Sequence, residues 1–204
     1  MFTDFSDEGE NEDVPNADRR SAYLEVVGDL LVQHLGMVHG AWTAQGAYRG
    51  GFEADTAQAM NNILTGMIIL AGFETGGERI QAALDSGDQE EEHSCFSDNT
   101  HRDMIQDVQG ISNVWNGSYG TVAGTGIKDV VAATDEALAA TISTQIADCL
   151  AAGNAMQVPF DLAISNDNAT GRAGVEALVG CLLTLEDQLE SVFDAFGLAV
   201  PVAE

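Results

Sequence analysis

Apolar residues recur at spacings of three and four along five segments of the chain, a period typical of amphipathic helices. The first segment shows the period on a face that carries Tyr23, Val27, Leu30, Leu31, His34, Val38 and Trp42. With the glycine and proline positions between segments, the period predicts helices over 17–45, 56–84, 100–116, 128–153 and 171–197. Short connections favour antiparallel neighbours, so we expect an all-α fold, an antiparallel bundle of about five helices.

The first fifteen residues differ from the rest of the chain. Residues 1–15 hold six acids, two aromatic residues and a proline, which predicts an acidic, loosely ordered lead-in. Residues 16–204 are then expected to form one helical-bundle domain. The lead-in has neither the basic region nor the apolar core of a signal peptide, and no stretch of the chain reaches the roughly 20 apolar residues of a membrane span.

The acidic composition of the chain limits the kinds of binding partner that we expect. The chain has 33 Asp and Glu residues against 7 Lys and Arg, for a formal net charge of −26. Such a field repels phosphate backbones, so we expect no nucleic-acid partner, and it disfavours anionic membrane surfaces. Cations are attracted by the same field. Solubility in a salty medium is an alternative reason for the acidity.

Three buried positions are expected from the helical period. Cys149 and Cys181 lie in apolar helical patterns and are expected to be buried thiols, although a single bridge between them is open in an oxidising compartment. His34 is expected to be a hydrogen-bonded core histidine. The pair Gly76-Gly77 is expected to kink or break the second helix.

One segment, residues 85–103, concentrates imidazole, carboxylate, hydroxyl and amide groups. If it is helical, Glu90, His93 (or Ser94), Ser97 and His101 (or Thr100) fall near one face. Imidazole with carboxylate suits Fe, Zn or Cu, and carboxylate alone suits Ca or Mg. The spacing matches no standard zinc signature.

A purely structural interpretation of this segment is also open. Ser97, Asp98 or Thr100 is then the N-cap of the third helix, and Asp103 completes a capping box from Thr100. The glutamates before His93 are then a solvated run. Elsewhere the chain has no HExxH, GxSxG, P-loop or post-strand GxGxxG motif, so independent catalysis has no visible centre.

The run from Asp88 to Asp103, DQEEEHSCFSDNTHRD, resembles the hallmark segment of the imelysin-like proteins, closest to the branch called iron-regulated protein A. Other pieces agree in order along nearly the whole chain from about residue 16: 16–23 with Leu30-Leu31, 63–67 with 77–79, and 159–161. The resemblance implies a bacterial periplasmic or outer-membrane-associated protein, built from two helical-bundle domains and linked to iron uptake.

The chain departs from the family's pattern at one motif. The family is classed as a metallopeptidase family for a Gly-x-His-x-x-Glu motif in its upstream half. Here His39 is preceded by Met37 where the motif has Gly, and followed by Trp42 where it has Glu. The chain therefore resembles the downstream portion of such a protein, and an upstream imelysin domain is expected as its partner.

The resemblance points to a site within the 88–103 segment. We expect metal ligands at Glu90, His93 and His101, with His93 the main donor. Around them we expect supporting residues at Ser94, Cys95, Ser97, Asp98, Asn99, Thr100 and Asp103. The expected function is binding of a metal ion or a metal carrier, with iron or another divalent metal as the cofactor. The alternatives are a metallopeptidase whose catalytic half lies upstream, and a helical interaction module without metal.

Overall fold

Helices make up most of residues 17–198, the part of the chain that the computed structural model describes. In chain order the elements are α1 (Ala17–Trp42), α2 (Ala47–Ala54), α3 (Thr56–Ile68), a π-helical segment (Ile69–Gln81), α4 (Ala82–Ser86), a 3₁₀ turn (Gln89–Glu91), α5 (Thr100–Asn116), β1 (Ser118–Tyr119), β2 (Val122–Ala123), α6 (Ile127–Ala132), α7 (Glu136–Ala155), α8 (Phe160–Ile164) and α9 (Ala169–Phe196). The all-α class is confirmed. The predicted lead-in, residues 1–15, lies outside the described residues.

Several helix boundaries differ from the predicted ones for local reasons. The span predicted as 128–153 divides into α6 and α7, because the carboxylate of Asp135 accepts the Leu138 N–H at 2.9 Å and caps a new helix. The first helix ends at Trp42, where the Thr43 hydroxyl donates to the Gly40 carbonyl at 2.9 Å. The third predicted helix, 100–116, matches α5.

The glycine-rich stretch after α5 contains a small hairpin in place of the expected loop. Strands β1 and β2 pair antiparallel, with Ser118 opposite Ala123 and Tyr119 opposite Val122. Gly117 ends α5 at φ 64°, and a Cβ on it would collide with the backbone of Thr125 and Gly126. This turn therefore requires glycine.

The expected break at Gly76-Gly77 does not occur. The helix continues through Ile69–Gln81 as a wider π-helical segment, and the Ala82 N–H donates to the Gly77 carbonyl five residues back. A Cβ at Gly72 would collide with the carboxylate of Glu186 on α9. Gly72 therefore admits a close neighbour within this segment.

The chain divides into two compact units, Met1–Ala59 and Met60–Glu204. In the first unit, the Trp42 ring packs edge-on against Tyr48 and Phe52, with ring centroids 5.0 and 5.1 Å apart. His34 is exposed, so the expectation of a core histidine was wrong. That residues 16–204 form one domain stays a prediction.

The second unit contains the core. Helix α9 packs against α7, α8 and the π-helical segment, and α5 packs against α7 and the same segment. Trp115 is fully buried, and its indole N–H donates to the Ser143 hydroxyl at 2.9 Å. Cys149 of α7 and Cys181 of α9 form a disulfide with their Cα atoms 5.5 Å apart. The expectation of free buried thiols was therefore wrong, and the bridge that the sequence had left open is present. None of the helices described between residues 17 and 198 combines the length and the hydropathy that a membrane span requires.

Candidate functional site

The 88–103 segment is folded as a loop between two helices. Helix α4 ends at Gly87 in the left-handed conformation, φ 65°. The Asp88 carboxylate then accepts the Glu90 N–H at 3.0 Å and starts the 3₁₀ turn, and turns follow until α5 begins at Thr100. Because the segment is not helical, the expected shared face of Glu90, His93, Ser97 and His101 does not form.

Hydrogen bonds within the segment hold the loop against the start of α5. The Ser94 N–H donates to the Thr100 hydroxyl oxygen at 3.1 Å, and the Ser94 hydroxyl donates to the Asp103 carboxylate. The Asn99 amide donates to the other oxygen of that carboxylate at 2.9 Å. Asp103 thus organises the loop through side chains, and the expected capping box with Thr100 does not form.

The N-cap of α5 is Asn99, so the expected caps at Ser97, Asp98 or Thr100 were wrong. Asn99 makes no capping bond to a backbone amide in the described part of the chain. Asp98, at φ 50°, accepts a hydrogen bond from Gln89 Nε2 at 3.2 Å. The polar side chains of the segment therefore bond mainly to one another, and they contribute little to capping the first turn of α5.

The expected site residues differ in exposure. Exposed side chains belong to Glu90, His93, Ser97, Asp98 and Asn99. Half-buried ones belong to Ser94, Cys95, His101 and Asp103, while Thr100 is fully buried. His93, expected as the main donor, thus lies at the surface of the loop.

The third glutamate of the run, Glu92, is the one that turns inward. It is 5% exposed, and the Thr100 hydroxyl donates to its carboxylate. Its Oε1 atom has no hydrogen-bond partner among residues 17–198. Burial raises the pKa of Glu92 above its ordinary value, the Thr100 hydrogen bond opposes that shift, and the negative charges of Asp161 and Asp98 add to it.

Two more buried polar atoms lie on the elements around this carboxylate. Asp161 is in the first turn of α8, and His101 is in the first turn of α5. Asp161 Oδ1 and His101 Nδ1 are buried and lack a hydrogen-bond partner from any described residue. A Cβ at Gly87 would lie 2.9 Å from the Asn166 side-chain nitrogen, so the α8–α9 connection packs against the start of the segment.

A second polar cluster, in contrast, is internally paired. Asp107 of α5 accepts from the buried Thr75 hydroxyl at 3.0 Å and from Arg79 Nη1 at 2.9 Å. Arg79 Nη2 donates to Glu74 at 3.0 Å. One guanidinium thus balances two carboxylates, which ties the π-helical segment to α5.

A comparison with known protein families agrees with the resemblance that residues 88–103 show. The model of the imelysin peptidase family matches residues 3–192. The chain belongs to the imelysin family. No curated protein matches it.

In this imelysin-family chain the expected metal ligands are not assembled into one centre. Among the residues that the structure describes, no three His, Cys, Asp or Glu side chains lie close enough together to hold a metal ion. Glu90 and His93 are exposed on the loop, and His101 lies in the first turn of α5. Their assignment as ligands stays a prediction.

Sequence reasoning missed that Glu92 is buried and that Asp161 has a buried oxygen without a partner in the described residues. Glu92 was assigned to a solvated run together with Glu90 and Glu91, and these three are chemically identical. The loop has no period that marks an inward position. The sole signal for Asp161 was its place in the piece 159–161 that the family resemblance had picked out.

Proposed function

We propose that this imelysin-family protein is a binding protein of the bacterial envelope that takes up iron, as the ion or in a cationic carrier, at the 88–103 segment. By itself it does not cleave peptides. The observation that carries the proposal is the hydrogen bonding of Ser94, Asn99, Thr100 and Asp103 to one another. These side chains hold in place a loop that carries carboxylates and an imidazole. A segment that only capped a helix would not need this network.

Charge supports a cationic cargo. The chain carries a formal net charge of −26, and the segment places Glu90 and Glu91 at the surface beside the exposed imidazole of His93. Such a field raises the local concentration of cations and speeds their arrival. Neutral imidazole with carboxylate is a donor combination that iron accepts.

The envelope location is supported by cysteine chemistry and by family. Disulfides such as Cys149–Cys181 persist in oxidising compartments such as the periplasm. The resemblance to periplasmic and outer-membrane-associated imelysin-like proteins points the same way. The link to iron uptake rests on that resemblance.

Peptidase activity is the competing function, because the family is named for it. Metal-assisted hydrolysis needs a metal-bound water, an open coordination position and a general base. In this chain the motif position around His39 carries Met37 and Trp42 in place of Gly and Glu. The residues that such chemistry requires are therefore not found at the expected spacing.

The test is calorimetric titration of the protein with ferrous and zinc solutions at 150 mM salt. We expect saturable iron binding that weakens by about 10-fold or more in His93→Ala. His39→Ala, which removes another exposed imidazole, is the matched control and should bind as the wild type does. Absence of saturable binding by the wild type would contradict the proposal, and zinc-dependent cleavage of an unfolded substrate would favour the peptidase.

A further inference from the structure

Helix α1 exposes a large amount of apolar surface. Among residues 17–198, 21 large hydrophobic side chains are exposed, and ten of them lie on this one helix of 26 residues. Each of the ten is 43–71% exposed, and they are Tyr23, Leu24, Val26, Leu30, Leu31, Val32, Leu35, Met37, Val38 and Trp42. Large exposed apolar patches mark interaction sites, and a helix that is apolar over so much of its circumference is normally covered.

The area is on the scale of one side of a stable interface. Complete burial of a Val or Leu side chain removes roughly 60–120 Å² of apolar surface, so the ten side chains together expose about 400–700 Å². A standard protein–protein interface buries about 800 Å² on each partner, polar atoms included. Helix α1 by itself therefore carries enough apolar surface to form most of such an interface.

One stripe of α1 has the spacing of a coiled-coil seam. Its positions alternate in steps of three and four residues, the spacing that brings one face of a helix against a partner helix. The members of this stripe are Ser21, Leu24, Gly28, Leu31, Leu35 and Val38, and all six are exposed.

The stripe is complementary to itself in the antiparallel direction. When two copies run in opposite directions about a point between Asp29 and Leu30, the facing pairs are Leu24 with Leu35, Leu31 with Gly28, and Val38 with Ser21. Two of these pairs set a large side chain against a small residue. The space over Gly28 is open, because a Cβ built there meets nothing within 4 Å, so a leucine can occupy it.

We propose that the protein forms a two-fold symmetric dimer in which this stripe of α1 packs antiparallel against the same stripe of a second copy. A self-complementary patch is what a two-fold axis requires, because each residue contacts its counterpart in both directions. The proposal does not depend on whether the protein binds a metal.

Charge favours the antiparallel direction over the parallel one. Asp18 in the first turn of α1 comes close to His39 in the last turn of the second copy, whereas parallel helices bring each of these residues near its own counterpart. Each copy has a net charge of −26, and each chain continues from Trp42. Because α1 is about 39 Å long, the two chains leave an antiparallel pair at opposite ends, much farther apart than the screening length of about 8 Å.

The experiment is sedimentation equilibrium of the full chain at 150 mM NaCl over about 1–100 μM protein. We expect the wild type to sediment with the mass of two chains. Leu24→Glu and Leu35→Lys should each weaken dimerisation by about 100-fold or more, because each change occurs twice in a symmetric interface. The variant that carries both changes should recover at least about 10-fold of this loss, because each new carboxylate faces a new ammonium of the second copy.

The recovery tests direction as well as contact. In a parallel pair, positions 24 and 35 would each face themselves, and the double variant would bring like charges together. The matched control is Val26→Glu, which adds the same charge to an exposed apolar position on the opposite side of α1 and should dimerise as the wild type does. Circular dichroism verifies that all variants retain their helices.

Three results would each overturn the proposal. One is a wild type that stays monomeric over this concentration range, which would mean that another surface covers α1. Another is equal weakening by Val26→Glu and Leu24→Glu. The third is a double variant that dimerises no more tightly than Leu24→Glu or Leu35→Lys alone.

Discussion

Replacing Glu92 by Gln should make the metal-free protein more stable at pH 7. Glutamine keeps the shape of the side chain and can still accept the Thr100 hydroxyl proton, while the repulsion from Asp161 and Asp98 disappears. A buried polar group without a hydrogen bond costs about 1–3 kcal/mol, and more when it is charged. Because Glu92 Oε1 has no partner within the described residues, we expect removal of its charge to raise the free energy of unfolding by about 1–2 kcal/mol.

The gain should depend on pH in a defined direction. The folded-state pKa of Glu92 is raised above its ordinary value of 4.5, so the folded protein binds this proton more readily than the unfolded chain does. The destabilising effect of Glu92 is therefore fully present above the raised pKa and fades as the pH falls towards 4.5. The difference between variant and wild type should be largest at neutral pH and shrink with acidification.

Urea and thermal unfolding with a chelator present, at several pH values, measure this difference. For a chain of this size each kcal/mol corresponds to about 2–4 °C in Tm. Glu91→Gln, at the exposed neighbouring position, should stay within about 0.5 kcal/mol of the wild type. A Glu92→Gln protein that is less stable than the wild type at pH 7 would refute the reasoning, because Glu92 would then contribute to stability.

Three further outcomes are expected. Replacing Cys149 and Cys181 by Ser removes a cross-link between residues 32 apart in sequence and should cost about 3–4 kcal/mol in urea unfolding; a loss below 1 kcal/mol would contradict the cross-link's role. Gly117→Ala should cost about 2 kcal/mol or more, measured the same way, because φ is 64° and the new Cβ meets backbone; an unchanged midpoint would count against the turn described here. Incubation with an unfolded substrate and zinc should give no cleavage, and cleavage abolished by His93→Ala would overturn the binding-protein proposal.

The helices could be predicted because their burial has a period. Helix α5 was predicted to its ends, since its buried positions repeat regularly and Gly117 supplies a left-handed stop. The division between α6 and α7 could not be predicted, because the apolar period continues through it. The break depends on the Asp135 side chain, which caps the first turn of α7. The π-helical segment was missed for a similar reason: Gly76-Gly77 predicts a kink or break, and the conformation that the segment adopts depends on neighbours far along the chain.

The candidate site was predictable as a segment and not as a set of atoms. Composition and family resemblance both selected residues 88–103. Which acid turns inward depends on the backbone path through the 3₁₀ turn, and Glu90, Glu91 and Glu92 are indistinguishable in sequence. The negative charge of Asp161 acts on Glu92, an effect between residues far apart in sequence that no local pattern encodes.

The second unit shows how this chain treats acids that are buried or half-buried. Around Asp107 it places a guanidinium and a hydroxyl, although Lys and Arg together number only 7 in the sequence. At Glu92 and Asp161 no positive side chain is supplied by the described residues, and each acid retains an unpartnered oxygen. Since pairing was available elsewhere in the same fold, stability does not explain the unpaired acids.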